Sequence, residues 1–415
     1  MNERQAAGTF PEIRVPAALT FAGLVLGFGV AIALKGSPAL DTLLALAEPL
    51  GSLWLRALQL TILPLVIGLV VTGISQTLAA AEGGGLARRA VGLFVVVLIA
   101  SGTMAALLVP ALLALFPVPA KAVAALSGGP ADVGTVPGVA DILNAMMPEN
   151  IFAAAASGAM LPVVIFASLF ALALTRIGPA PRQAIVTFFE GLAGAMMVIV
   201  GWVLMLAPLG VFGLAVSLGA KTGADAIGAL AHYIVVVSAA GFVVLLAGYF
   251  LAATIGGRRL GEFARAMVPV NAVAISTQSS LASLPAMLAA TRRLGVREAT
   301  ADFTLPLAVA IFRATSPAMN MAVAIYAAHL TGTPLSAATL MAGVFVAFLV
   351  SLSSVSLPGT ISFVISVGPI ANAMGVPIAP LALLVAVEML PDIMRTLGNV
   401  TMDVAVTSAV DRGRD

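Results

Sequence analysis

Residues 258–295 read RRLGEFARAMVPVNAVAISTQSSLASLPAMLAATRRLG, and the arginine pairs at the two ends decide how the chain is threaded. The segment is apolar but broken in its middle by the polar run STQSSLASLP. A single membrane crossing puts its ends on opposite faces, whereas arginines gather on the cytoplasmic face. The segment therefore reads as a re-entrant hairpin that enters and leaves from the cytoplasm. Irregular backbone at its tip is tolerated at membrane depth only where protein or a water-filled cavity surrounds it. Residues 334–375 repeat the design, a long apolar run broken by SLSSVSLPGT. SSLASLP at 279–285 and SSVSLP at 353–358 look like one motif used twice.

The surrounding chain sets the scale. Of 415 residues, 61% are hydrophobic and 9% charged, with a mean hydropathy of +1.12. Soluble domains carry roughly a quarter charged residues. Apolar runs of about 20 residues are long enough to cross a bilayer as helices. They fall at 15–34, 48–79, 86–117, 151–175, 184–217, 226–255, 298–330 and 377–409. The alternating segments of a membrane barrel are absent. The fold class is thus an all-α polytopic membrane protein, with eight transmembrane helices plus two re-entrant helical hairpins.

MNERQAAGTFPEIRVP leads into the first span without a small-residue cleavage site, so that span is expected to be retained. No cysteine is present, which excludes disulfides and thiolate metal sites. His232 and His329 read as packing or interfacial histidines near helix ends. With the N-terminus inside, fourteen arginines fall in cytoplasmic segments against three lysines outside, leaving Arg56, Arg313 and Arg395 within spans. Both termini are then cytoplasmic, and the location is the plasma (inner) membrane. No aromatic-basic surface suggests nucleic acid.

Each hairpin is followed by an apolar helix carrying one buried arginine, Arg313 and Arg395. One hairpin opens inward and the other outward, the inverted repeat of many secondary transporters. Broken helices place free N–H groups and positive dipole ends at membrane depth, which favours an anion. Serines packing helices closely is the alternative reading of either stretch alone.

The densest polar stretch is EMLPDIMRTLGNVTMD, residues 388–403. At roughly 100° per residue, Glu388, Asp392, Arg395, Thr396, Asn399 and Asp403 fall at about 0°, 40°, −20°, 80°, 20° and 60°. They share one helix face. A charge at the bilayer centre costs about 2.5–3.5 kcal/mol, so the stripe must face protein or a water-filled site. Arg395 offers a planar fork for a carboxylate, and Asp392 a partner for an ammonium group. A mutually neutralised structural network is the competing reading.

These residues carry a resemblance. DIMRTLGNVTMD is similar to the D-x-x-R-T-x-x-N-x-x-x-D helix of the dicarboxylate/amino acid:cation symporters, the glutamate-transporter homologues. SLPAMLAATRRLGVREATADFTLPLAVAI resembles their segment from the first hairpin tip into helix 7. WLRALQLTILPLVIGLVVTGIS, MPENIFAAAASGAMLPVVIFASLFALAL and APLGVFGL resemble helices 2, 4 and 5. The resemblance covers nearly the whole chain in order. It implies a homotrimer with a scaffold (1–85 and 119–222) and a moving elevator domain (86–118, 223–258 and 259–415). Carried over, Asp392 holds a substrate amino group and Arg395 an acidic side chain. Thr396 and Asn399 complete the pocket, with Ser279 and Ser280 at the first hairpin tip, Ser316 on helix 7, and Pro358 and Gly359 in the outer gate.

The departures matter as much. The helix 7 signature NMDGT is replaced by FRATS, so its sodium-ligating asparagine and aspartate become Phe312 and Ala314. On helix 3 the tyrosine and threonine ligand positions align with Val97 and Ala100, leaving Ser101. Hard cations need several oxygen ligands, which these apolar side chains do not supply. Asn399 and Asp403 remain, enough for one partial sodium site. Ser356 stands where a gate glycine is usual, which stiffens the gate. The change to FRATS moves the local formal charge from −1 to +1, so Arg313 is expected to compensate charge as a tethered cation. The competing reading is that Arg313 snorkels or pairs locally.

The expected function is secondary transport of an acidic amino acid or C4-dicarboxylate by elevator alternating access. Proton coupling through Glu388 or Asp392, or exchange without a coupling ion, is favoured over multi-sodium coupling, and no cofactor is expected. An anion channel or substrate sensor on the same fold is the alternative. A membrane serine enzyme is disfavoured because no base accompanies the hairpin serines, and no H-E-x-x-H or G-x-S-x-G occurs.

Overall fold

The computed structural model describes residues 16–82, 84–118, 147–222, 225–353 and 359–412, and all regular structure in them is α-helical. A helix satisfies its backbone within one segment, which hydrocarbon demands of any spanning element. The chain opens with α1 (Ala17–Ala33), α2 (Pro38–Ala81) and α3 (Gly85–Leu115). Ser37 caps α2, accepting from the Ala39 amide at 3.3 Å, with Pro38 in the first turn where no amide is missed.

Several expected spans are divided. The 151–175 run is α4 (Ile151–Ala156) and α5 (Met160–Leu174), broken at Gly158, whose φ of 75° suits glycine. The 184–217 run is α6 (Pro179–Met205) and α7 (Ala207–Thr222). Pro208 sits in the first turn of α7, where it starts a helix but cannot continue one. Next come α8 (Asp225–Thr254), then α9 (Leu260–Thr277) and α10 (Leu284–Arg293). The 298–330 run is α11 (Glu298–Ile311) and α12 (Thr315–Thr331), separated by Phe312, Arg313 and Ala314. The chain closes with α13 (Ala337–Ser353), α14 (Gly359–Ala373), the short α15 (Leu381–Leu384) and α16 (Met389–Arg412). Among the described residues, five stretches are long and apolar enough to cross a membrane. They are α2, α3, α6, Gly228–Thr254 of α8, and α11–α12 taken together.

Helix α9 packs on α10, and α13 on α14, so both apolar runs fold back on themselves. The ends of residues 258–295 meet directly: the Arg258 Nη1 donates to the Leu294 carbonyl. Asp411, near the end of α16, accepts from Arg297 Nε at 2.7 Å and Thr300 Oγ1 at 2.9 Å. Arg258 Nη2 lies 3.7 Å from the same carboxylate. Arg258, one of the arginines that signalled the hairpin, and Arg297 just beyond it thus tie its base to α16. Beneath it, Phe263, Met267, Met287, Leu305, Val400 and Val404 form a separate apolar cluster.

Helix α1 packs on α7, and α2 on α5, α6 and α7. A second group gathers round α12, which meets α3, α8, α14 and α16. Every residue of α12 except His329 is buried, polar ones included. A helix buried on all sides shows no periodic apolar stripe, so its depth is invisible to pattern reading.

Candidate substrate site

Helix α12 begins inside the protein. Its first amide, on Thr315, donates to Asn399 Oδ1 at 2.9 Å. The Thr315 hydroxyl lies 2.7 Å from the same oxygen and 3.1 Å from the Arg395 carbonyl. Asn399 on α16 therefore caps α12 at its break. Close approach is possible because residue 398 is glycine; a Cβ there runs into the Thr315 methyl. The pocket role expected of Asn399 thus meets a structural one that already uses its carbonyl oxygen.

Arg395 is 1% exposed and held on three sides. Its Nη2 donates to Glu388 Oε1 at 2.5 Å, and its Nη1 to Asn320 Oδ1 at 3.0 Å. Its Nε lies 3.2 Å from Asp392 Oδ1. The other Glu388 oxygen accepts from the Tyr233 hydroxyl at 2.8 Å. A buried ion pair persists only when its remaining hydrogen-bonding capacity is met, and Tyr233 and Asn320 meet much of it. The fork expected to take a substrate carboxylate is occupied here by a carboxylate of the chain itself.

The expected single helical stripe needs one correction. Glu388 is the last residue of the turn before α16, and its carbonyl accepts the Asp392 amide at 3.0 Å. It immediately precedes α16, and its side chain meets Arg395. Asp392, expected to await an ammonium group, is paired with Arg395 in this state. Thr396 is buried, its hydroxyl bonded to the Asp392 carbonyl at 3.0 Å.

Arg313 is 8% exposed, in the break between α11 and α12. It is electrostatically coupled to Asp392 and Asp403 of α16, and opposed by Arg395. Asp403 is 1% exposed, and neither carboxylate oxygen accepts a hydrogen bond. Arg313 therefore lies in the core, as a tethered cation must, and not at a surface. Beside it, Phe312 stacks on Phe94 of α3, with ring centroids 4.4 Å apart and planes 10° apart. On α3, Phe94, Leu98 and Ser101 are buried, whereas Val97 is half-buried and Ala100 exposed. The α3 residue that meets Phe312 is Phe94, one turn before Val97.

The first hairpin tip is strained: Gln278 at φ 49° is the one non-glycine residue with positive φ among the described residues. Ser279 and Ser280 are half-buried. The Ser279 hydroxyl accepts from the Ala282 amide at 3.2 Å, and its carbonyl from the Ser283 hydroxyl at 2.9 Å. Neither tip serine bonds to α16. Ser316 is buried in the first turn of α12. Pro358 lies outside the described residues, and Gly359 begins α14.

Tyr233, Asn320 and Thr315 were not among the expected site residues. Tyr233 and Asn320 are single polar groups in apolar runs, YIVVV and MNMAV, a signal too weak to separate from packing. His232 proves a packing residue: its ring nitrogens lie 3.0 Å from the Phe116 carbonyl and 3.2 Å from the Tyr326 hydroxyl.

Paired hairpins, a helix broken inside the protein and a buried guanidinium beside the break define a polytopic membrane transporter. The match to known families is specific: the profile of the sodium:dicarboxylate symporter family covers residues 17–413. The chain belongs to that family, whose members are transporters and not enzymes. It is 28% identical over 392 residues to the proton/sodium-glutamate symport protein of Bacillus subtilis strain 168, covering 92% of this chain and 88% of the relative. It is 25% identical over 373 residues to C4-dicarboxylate transport protein 1 of Pseudomonas paraeruginosa, covering 88% and 83%. It is also 25% identical over 366 residues to the proton/glutamate-aspartate symporter of Escherichia coli K12, covering 86% and 82%.

Proposed function

We propose that the chain carries acidic amino acids or C4-dicarboxylates across the plasma membrane as a secondary transporter. The observation that carries this reading is Arg395, a guanidinium buried in a transporter core and bonded to a carboxylate, Glu388. A site able to hold that pair holds a substrate carboxylate by the same charge-assisted hydrogen bonding. The relatives' names, glutamate and C4-dicarboxylate transporters, point to the same substrates. Helices α3 and α8–α16 move as the elevator against α1, α2 and α4–α7, in a homotrimer with cytoplasmic termini.

Glu388 is the coupling residue in this reading. It competes with the substrate for Arg395, and a proton taken up by Glu388 ends the competition. The groups facing it are Tyr233 on α8, and Arg395 and Asp392 on α16. Proton and acidic substrate then bind with positive linkage, so affinity rises as pH falls. Glu388→Gln is expected to flatten that dependence and to abolish uptake driven by an inward proton gradient, while counter-substrate exchange persists. Proteoliposomes with imposed proton, sodium or counter-substrate gradients measure each arm. Proton-driven uptake unchanged in Glu388→Gln removes Glu388 from coupling; flux that does not saturate favours a channel, and binding without uptake a sensor.

Sodium plays no part in this scheme. Phe312, which stands where the family has a ligating asparagine, stacks on Phe94, and neither ring offers an oxygen to a hard cation. Asn399 spends its carbonyl oxygen on α12, leaving Asp403 as the remaining acid of a partial site. Replacing sodium by choline at fixed pH and ionic strength is expected to change substrate affinity less than about threefold, or about 0.65 kcal/mol. Steep, cooperative sodium dependence overturns this reading.

A further inference from the structure

Asn320 lies on α12 and is 0% exposed. An arginine can only donate, so the Asn320 atom facing Arg395 Nη1 must be the carbonyl oxygen, at 3.0 Å. That fixes the amide orientation and leaves Nδ2, with two donors, on the other side. Nδ2 is buried and has no hydrogen-bond partner. One helical turn earlier, on the same face, the Ser316 hydroxyl is also buried and also without a partner. An orphaned buried donor is costly, and two on one face mark a place where an acceptor is missing.

We infer that Asn320 is a specificity-determining residue that recognises the substrate's side-chain carboxylate alongside Arg395. The inference rests on the proposed acidic-substrate reading and deepens it. Oδ1 holds the Arg395 fork, and Nδ2 donates to a carboxylate oxygen of the bound substrate. The Ser316 hydroxyl supplies a further donor on the same side. The site thereby rejects a side-chain amide, whose NH2 group meets donors only. Sites built from hydrogen-bonding groups discriminate far more strongly than apolar ones, because a mismatch leaves buried groups unpaired.

Asn320→Asp keeps an acceptor on Arg395 and converts the free donor into a second acceptor. L-aspartate is expected to lose about 100-fold in affinity, while L-asparagine gains at least about 10-fold over wild type. The gain separates this role from two others: a distant charge leaves neutral L-asparagine unaffected, and a purely structural defect weakens both ligands. Affinities are measured by calorimetry on purified full-length protein, with elution profile and thermal unfolding as folding controls. Asn320→Leu, which adds no charge, is expected to weaken L-aspartate by at least about 10-fold and covers the case in which the aspartate variant does not fold. L-asparagine affinity unchanged or lowered in a folded Asn320→Asp overturns the inference, as does L-aspartate affinity unchanged in Asn320→Leu. Wild-type protein that binds none of L-aspartate, L-glutamate and succinate overturns the acidic-substrate reading itself, and the inference with it.

Discussion

Arg395→Ala is expected to lower the affinity for every acidic substrate by at least about 100-fold, or about 2.7 kcal/mol. Two effects combine. The planar fork that matches a carboxylate is lost, and Glu388 and Asp392 are left as buried acids without their shared cation. Removing one member of a buried ion pair typically costs about 3–5 kcal/mol, so the protein is also destabilised. Thermal unfolding separates the two effects when Arg395→Met is combined with Glu388→Gln. That double variant removes the Arg395–Glu388 pair and leaves only Asp392 without its partner, so it is expected to recover part of the lost stability while still failing to bind. Arg395→Lys is expected to recover little binding, because an ammonium cannot reproduce the contacts to Glu388, Asn320 and Asp392 together. Acidic substrates that bind Arg395→Ala as they bind wild type disprove the assignment.

Arg313→Met is expected to weaken the binding of every acidic substrate through loss of charge. Methionine keeps much of the bulk in the helix break and removes the charge felt by Asp392 and Asp403. Asp403 has no hydrogen-bond donor on either oxygen, so Arg313 contributes its charge compensation through space. Loss of a compensating cation beside a fully buried carboxylate costs up to about 3–5 kcal/mol, and an anionic substrate arriving nearby adds to the cost. Affinity for acidic substrates is expected to fall by at least about 30-fold, or about 2 kcal/mol. Protons or monovalent cations added to the variant partly restore it, since they supply the missing positive charge. Wild type gains nothing from added monovalent cations and keeps only the pH linkage that runs through Glu388. A variant that binds as wild type does, with no response to cations and no pH response beyond that of wild type, shows that Arg313 serves packing alone.

The two hairpins were legible because charge and composition mark them directly. Arginine pairs at both ends of residues 258–295 cannot lie on opposite faces, and Arg258 indeed reaches Leu294. The α16 stripe was legible because charged groups in so apolar a chain must gather on one protected face. The partners on that face were not. Helical angle alone placed Glu388 in line with Arg395, yet the residue precedes the helix, and only the turn at 385–388 turns its carboxylate onto the guanidinium. Nor did the sequence show that Phe94 of α3 stacks on Phe312 at the break.

The sequence by itself determined the membrane-spanning class, the hairpin pair, the family and the residues rich enough in charge to need protection. Each follows from the cost of exposing polar groups to hydrocarbon, which acts on composition and spacing along the chain. Tertiary structure alone decided which acid occupies Arg395, that Asn399 spends its oxygen on α12, and that Asn320 holds an unused donor. Those outcomes depend on distances between α8, α12 and α16, separated in the chain by 75 to 155 residues at the hydrogen bonds concerned. Hydrogen bonds act over about 3 Å, and no periodicity in a sequence encodes contact at that range between distant helices.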